Sequence, residues 1–295
     1  MEGTAQIAMD TETSRQSFRS LAWRRFLRHR LALCGAVIVI LIMLTAVCAP
    51  WLASREPNHV DLMLAREGPS SGHLLGSDLV GRDVLSRLIY GARVSLSVGL
   101  GAVAIYVMIG MVLGCVAGYF GGWVDMLVSR LIDAVLSFPV LMLILVIVGV
   151  LGPSLFNIIL VLGLLGWPEV ARIVRGQTLA VREELYVLSS EAAGAGSRRI
   201  IMKDILPNIT SPLIVNATFG VARAILIEAG LSFLGMGVQP PTASWGNMLN
   251  DAQSLSILET MPWMWVPPGL MIFIATISIN FVGDGLRDAL DPKLN

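Results

Sequence analysis

Residues 31–53 read LALCGAVIVILIMLTAVCAPWLA, an apolar run without a charge that comes after Arg24, Arg25, Arg28 and Arg30. At about 1.5 Å per residue a helix of this length reaches roughly 34 Å, enough for a hydrocarbon core of about 30 Å. A cleaved secretory signal has a similar basic flank, but its apolar core is only about 7–15 residues. The run therefore reads as an uncleaved membrane anchor, with lipid as the solvent of the chain.

The remaining residues agree. Of the 295 residues 55% are hydrophobic and 14% charged, and the mean hydropathy is +0.74, values typical of a membrane protein. Five more spans can be drawn, near residues 92–118, 125–150, 154–175, 208–235 and 264–286. Backbone polar groups in lipid must be satisfied within the segment, so the spans are expected to be helices. Alternating strand patterns are absent. The expected fold is all-α: a polytopic membrane protein of six transmembrane helices, with a cytoplasmic helical element between the fourth and fifth.

The expected division is a cytoplasmic segment 1–30, the first span 31–53, an external loop 54–91, a core 92–286 and a tail 287–295. Within the core, a cytoplasmic loop covers about 176–207 and an external loop about 236–263. Lys and Arg placement sets the orientation. With the N-terminus inside, fifteen cations fall on the cytoplasmic side, in the N-terminal segment, at Arg130, from Arg172 to Lys203, and at Arg287 and Lys293. Five fall outside: Arg55, Arg66, Arg82, Arg87 and Arg93. Both termini are therefore expected in the cytoplasm.

Composition also excludes several classes. Formal net charge is zero, so no basic excess points to nucleic acid. Cys34, Cys48 and Cys115 lie in apolar runs as small hydrophobes, and His29, His59 and His73 are scattered without metal-ligand spacing. No G-x-x-x-x-G-K-[ST] loop occurs, so the chain is not expected to hydrolyse ATP. No Ser-His-Asp set or metal cluster suggests catalysis.

Several residues carry two readings. Gly110, Gly114 and Gly118 repeat every four residues, which suits close helix packing. Asp83 and Arg87 are spaced for an i,i+4 pair, and Asp78 for a helix cap; alternatively Asp78, Arg82, Asp83 and Arg87 form an external contact or gate. Glu228 and Arg223 fall inside the fifth span, where ionisable groups are costly and face the bundle or a water-filled cavity. Glu228 either lines a route for a charged amine or pairs with another helix. Trp245, Trp263 and Trp265 suit the membrane interface, and Asp284, Arg287, Asp288 and Asp291 suit local pairing.

Residues 189–208, SSEAAGAGSRRIIMKDILPN, interrupt the oil. The glycines at Gly194 and Gly196 break helical flanks into a helix, turn, helix element. This stretch, LLGSDLVGRDVLSRLIYGARVSLSVG at 74–99, AILIEAGLSFLGMGVQPPTASWGNML at 224–249 and PWMWVPPGLMIFIATISINFVGDGLRDALDPKL at 262–294 together resemble the permease subunits of dipeptide, oligopeptide and nickel ABC importers. The resemblance covers nearly the whole chain after about residue 18.

That family's cytoplasmic motif runs Glu-Ala-Ala, a glycine six positions after the Glu, and Leu-Pro twelve and thirteen positions beyond the glycine. Counting back from Leu206-Pro207 puts the glycine at Gly194 and the opening triplet at Leu188, Ser189 and Ser190. The literal Glu191-Ala192-Ala193 is out of register, and Asp204 holds a position that is usually apolar. The resemblance implies that Gly194, Ala195, Gly196, Ser197, Arg198 and Arg199 dock an ATPase. It further implies a second homologous permease, one or two ATP-binding subunits carrying ATP and Mg, and an external substrate-binding protein. The resemblance also implies that the chain itself binds no cofactor and sits among lipids in a bacterial cytoplasmic membrane. The implied function is one half of a peptide import route working by alternating access; nickel complexes, glutathione-like cargo or an ion-coupled secondary transporter are the alternatives.

Overall fold

The computed structural model describes residues 18–290. Parts of the expected N-terminal segment and tail, including Ser14, Asp291 and Lys293, lie outside the described residues. Among the described residues these helices organise the fold: α1 Phe18–Arg28, α2 Arg30–Val47, α3 Val84–Phe120, α4 Gly122–Leu136, α5 Val140–Leu151, α6 Leu155–Arg182, α7 Leu185–Ala192, α8 Leu206–Phe233, α9 Trp245–Asn250 and α10 Pro262–Leu290. Further short helical segments join them.

Among the described residues, five helical stretches are long and apolar enough to cross a membrane, and a sixth crossing results if the bent pair α4 and α5 counts as one. That pair corrects the continuous span expected over 125–150. Its two helices meet at 81° around Ser137, Phe138 and Pro139. Proline cannot donate to the helical ladder, and it disfavours helical geometry in the residue before it. Ser137 donates its hydroxyl to the Asp133 carbonyl (2.6 Å), closing α4 just before the bend.

Helices α3, α6 and α10 extend beyond their expected spans, whereas α2 stops at Val47, short of the expected 53. Helix α3 begins at Val84, because Asp83 accepts the Ser86 N–H (2.8 Å) as its N-cap. Ser154 caps α6 through the Asn157 N–H (3.2 Å). The centre of the bundle is the α3–α6 crossing. A Cβ on Gly114 would lie 2.7 Å from the Ala171 carbonyl and the Val174 Cβ, and one on Gly110 2.6 Å from Val170. The glycine stripe thus lets two backbones approach, as its four-residue spacing predicts.

Two apolar clusters flank this crossing. Ile42, Leu88, Ile225, Trp245 and Ile279 join α2, α3, α8, α9 and α10; Val98, Ile144, Ile158 and Leu231 join α3, α5, α6 and α8. Val37, Ile40, Leu41 and Leu44 on α2 are left exposed, an outward apolar surface consistent with contact to lipid. The connections 53–83 and 234–261 gather at one end of the bundle, and α7 with its turn lies at the other.

Candidate functional site

At the loop end, charge is buried in quantity. Asp78 accepts from the Val80 N–H (3.0 Å), the Arg82 N–H (2.9 Å) and the Arg82 guanidinium (2.5 Å). Arg82 also reaches Asp251 (3.1 Å), and Arg87, only 1% exposed, lies 3.8 Å from Asp78 and 4.0 Å from Asp251. Arg87 donates to the Pro241 carbonyl as well (3.4 Å). Asp83 meets the His73 Nδ1 at 2.9 Å.

These contacts correct two local expectations. Asp83 makes no i,i+4 ion pair with Arg87, because its carboxylate is committed to the α3 N-cap and His73. Asp78 caps no helix; it is the hub that joins Arg82 and Arg87. Asp251, 169 positions from Arg82, was missed, since sequence spacing carries no sign of a contact made through the tertiary fold. Burial pushes the Asp251 carboxyl up, against the pull of Arg82 and Arg87.

Trp245 is also corrected. Rather than lying at a membrane interface it is fully buried, with its indole N–H donated to the Leu88 carbonyl (3.0 Å). It starts the capped helix α9, where Ser244 and Asn247 satisfy each other's backbone N–H groups. Trp263 donates to the Ser77 carbonyl (3.1 Å), and Trp265 to the Leu258 carbonyl (3.2 Å).

Deeper in the bundle, Glu228 is 0% exposed. Ser232 donates to its Oε1 (2.7 Å) and Ser95 of α3 to its Oε2 (3.3 Å), while the Trp245 N–H meets the Ser95 hydroxyl (3.4 Å). Glu228 therefore ties α8 to α3 and to the start of α9. The lining residue that the sequence offered does not reach the surface of the chain.

Arg223 does reach it. It is 57% exposed and paired with Glu169 of α6, itself 52% exposed. Glu169 was not singled out by sequence, because a lone acid in WPEVARIV sits next to the cations assigned to the cytoplasmic loop. The pair borders a cavity of about 150 Å³ whose walls include Tyr106, Gly166, Asn216 and Gly220. Asn216 also borders an open groove of about 920 Å³ with Gln177, Ser211 and Arg287. Arg287 makes no ion pair with Asp284 among the described residues, whereas His29 lies 3.6 Å from Asp288.

At the far end, α7 stops at Ala192, Gly194 takes φ +79°, and the chain restarts at Ser197. A π-helical stretch, Ile200–Ile205, carries it into α8. Leu185, Leu188 and Glu191 face outward, and only Val187 of α7 is buried. Gly194 has nothing within 4 Å of where a Cβ would stand, so its backbone angle and not crowding demands glycine. Gly196, Arg198 and Arg199 are exposed, with Ala195 and Ser197 half-buried.

No group of three or more His, Cys, Asp or Glu side chains suited to a metal occurs among the described residues. Two family descriptions match. Residues 17–69 match the N-terminal TM domain of oligopeptide transport permease C, and residues 110–295 match the binding-protein-dependent transport system inner membrane component. The chain belongs to this second family. Its relatives among these permeases include the dipeptide transport system permease protein of Alkalihalophilus pseudofirmus, 41% identical over 273 residues that cover 92% of this chain and 89% of the relative. The glutathione transport system permease protein of Escherichia coli O6:K15:H31 is similar to the same degree and over the same shares. A protein of Brucella suis biovar 1 is 41% identical over 269 residues, 91% of this chain and 89% of its own length. The chain is accordingly an all-α, multi-pass permease of the ABC dipeptide, oligopeptide and nickel importer family.

Proposed function

We propose that this permease forms half of a route that imports di- or oligopeptides across a bacterial cytoplasmic membrane at the expense of ATP hydrolysed elsewhere. A second homologous permease supplies the other half, one or two ATP-binding subunits carry ATP and Mg, and an external substrate-binding protein delivers cargo. The observation that carries this reading is the family match over residues 110–295, with a dipeptide permease 41% identical along 92% of the chain.

In this reading the loop end faces outward and α7, with its turn at Gly194, faces the cytoplasm. The exposed α7 and residues Gly194 to Arg199 seat on the ATPase, and closure of the ATPase tilts the bundle between outward-open and inward-open states. The buried network of Asp78, Arg82, Arg87 and Asp251 braces the external end against that tilt. Cysteines placed at Ser14 and Leu294 in a cysteine-free background are expected to resist a membrane-impermeant thiol reagent in intact cells; labelling of either overturns the orientation.

Reconstitution with the partner subunits tests the function. Uptake of labelled dipeptide should require ATP and the binding protein together. Uptake driven by an ion gradient without ATP would establish a secondary transporter instead. The glutathione permease, equally similar, supports a second cargo reading, and the binding protein's affinity for dipeptides, glutathione and nickel chelates decides between them.

A further inference from the structure

Arg223 and Glu169 are exposed charges well inside two long apolar helices. Glu169 is at the middle of α6, and Arg223 is within about one turn of the middle of α8. Each is more than half exposed on the isolated chain. A charged side chain at the centre of a bilayer costs about 2.5–3.5 kcal/mol on insertion scales, so a pair here faces water or protein and not lipid. The surroundings agree, since the cavity beside the pair and the groove toward Arg287 share Asn216. Polar groups (Glu169, Arg223, Asn216, Ser211, Gln177, Arg287) punctuate walls that are otherwise mainly apolar. The groove between α2, α3, α8 and α10 is the opposite case, lined almost wholly by apolar side chains such as Met43, Leu100 and Val221.

A second feature fixes the pair in place. A Cβ on Gly166 would lie 2.7 Å from the Tyr106 ring, and one on Gly220 would lie 1.6 Å from its hydroxyl. Tyr106 of α3 therefore occupies a slot between two glycines, each three residues before one of the charges. One turn separates Gly166 from Glu169 and Gly220 from Arg223, which sets both charges beside the ring on neighbouring helices.

Resting on the peptide-import reading above, we propose that Arg223 and Glu169 read the two free termini of a passing peptide. The guanidinium takes the cargo's carboxylate, for which its planar fork is suited, and the Glu169 carboxylate takes the cargo's ammonium. At rest the two side chains neutralise each other. A cargo with both termini charged exchanges partners with them and leaves no charge unpaired at membrane depth. A cargo capped at one end leaves one residue without a partner, and that shortfall is the basis of discrimination.

The test is uptake by the reconstituted complex of a free dipeptide, its N-acetyl form and its C-amide form, with the binding protein saturated by each so that upstream selection is equal for every variant. Glu169→Gln is expected to reduce the preference for free over N-acetylated dipeptide about tenfold and to spare the preference over the amide. Arg223→Gln should do the reverse. The exchange Glu169→Arg with Arg223→Glu restores a pair and should recover uptake of the free dipeptide. Equal losses for all three cargoes would show a purely structural pair, and loss of the co-purified second permease would show an interface pair; either result overturns the proposal. Absence of ATP-dependent dipeptide uptake by the unaltered complex would instead overturn the functional reading on which it rests.

Discussion

The two ends of the bundle are built on opposite plans. At the loop end, Arg87, Asp78, Asp83 and His73 are each less than 5% exposed; Asp78 pairs with Arg87 and Asp83 with His73 within one stretch, and Arg82 and Arg87 reach the distant Asp251. At the other end, α7 buries one side chain, and its turn leaves Gly194 with no neighbour. Buried charge is tolerated only when its partners are held in place, so the first region is stiff by construction. The second turns Leu188, Glu191, Arg198 and Arg199 outward, so its shape is set by backbone angles and left free for an external contact. Polar residues in a membrane protein can thus serve as internal struts or as an outward surface, and only their neighbours tell which.

Substitutions that break this contrast should have effects in a defined order. Arg87→Met should be the most damaging, because it leaves Asp78 and Asp251 short of a buried cation; breaking such a pair costs about 3–5 kcal/mol, and thermal unfolding in detergent should show it. Trp245→Ala belongs to the same class, at about 3–5 kcal/mol for a buried aromatic, with loss of the hydrogen bond to Leu88 added.

Asp251→Asn should be milder and pH-dependent. The carboxyl is raised by burial, so its ionised form is disfavoured in the folded state. That penalty is fully present above the raised folded value and is lost as pH falls through it toward the ordinary carboxylate range near about 4. Unfolding temperatures of the two proteins should therefore change differently with pH between neutrality and that range. Parallel profiles would show that Asp251 contributes no proton linkage.

At the opposite end, stability and coupling should separate. Gly194→Val forces a β-branched residue into φ +79°, a local cost of about 1–3 kcal/mol. Global unfolding should shift by no more than that local cost, less than for Arg87→Met, while ATPase capture and binding-protein-stimulated ATP hydrolysis fall. The smallest effects belong to Leu188→Glu and Glu191→Ala, both at exposed positions, each within about 0.5 kcal/mol in stability. Leu188→Glu should keep or strengthen ATPase association, and Glu191→Ala should weaken it modestly. Full capture by Gly194→Val together with complete loss in Glu191→Ala would show that the literal Glu-Ala-Ala letters are the working motif.

Much of this was legible in the chain. The apolar runs gave the long helices, since lipid demands length and hydrophobicity from each span, and the glycine stripe of α3 announced its close crossing with α6. Pro139 carried a readable warning of the break between α4 and α5, obscured by the apolar residues on either side. The site was less legible. Glu228 and Arg223 are five residues apart in one span, and their sequence gives both the same cost; the fold encloses Glu228 with Ser95 and Ser232 and turns Arg223 outward to Glu169.

The sequence by itself determined that this chain is a helical membrane protein of the importer permease family, and that a glycine-broken element interrupts its spans. Those properties are written in local composition, periodicity and motif spacing. The tertiary structure decided which charges are struts and which are surface: Asp78 with Arg82, Arg87 and Asp251 at one end, Arg223 with Glu169 on the open face. Pairing depends on which helix faces which, and rotation about a helix axis is fixed by packing against neighbours, a property that no single span contains.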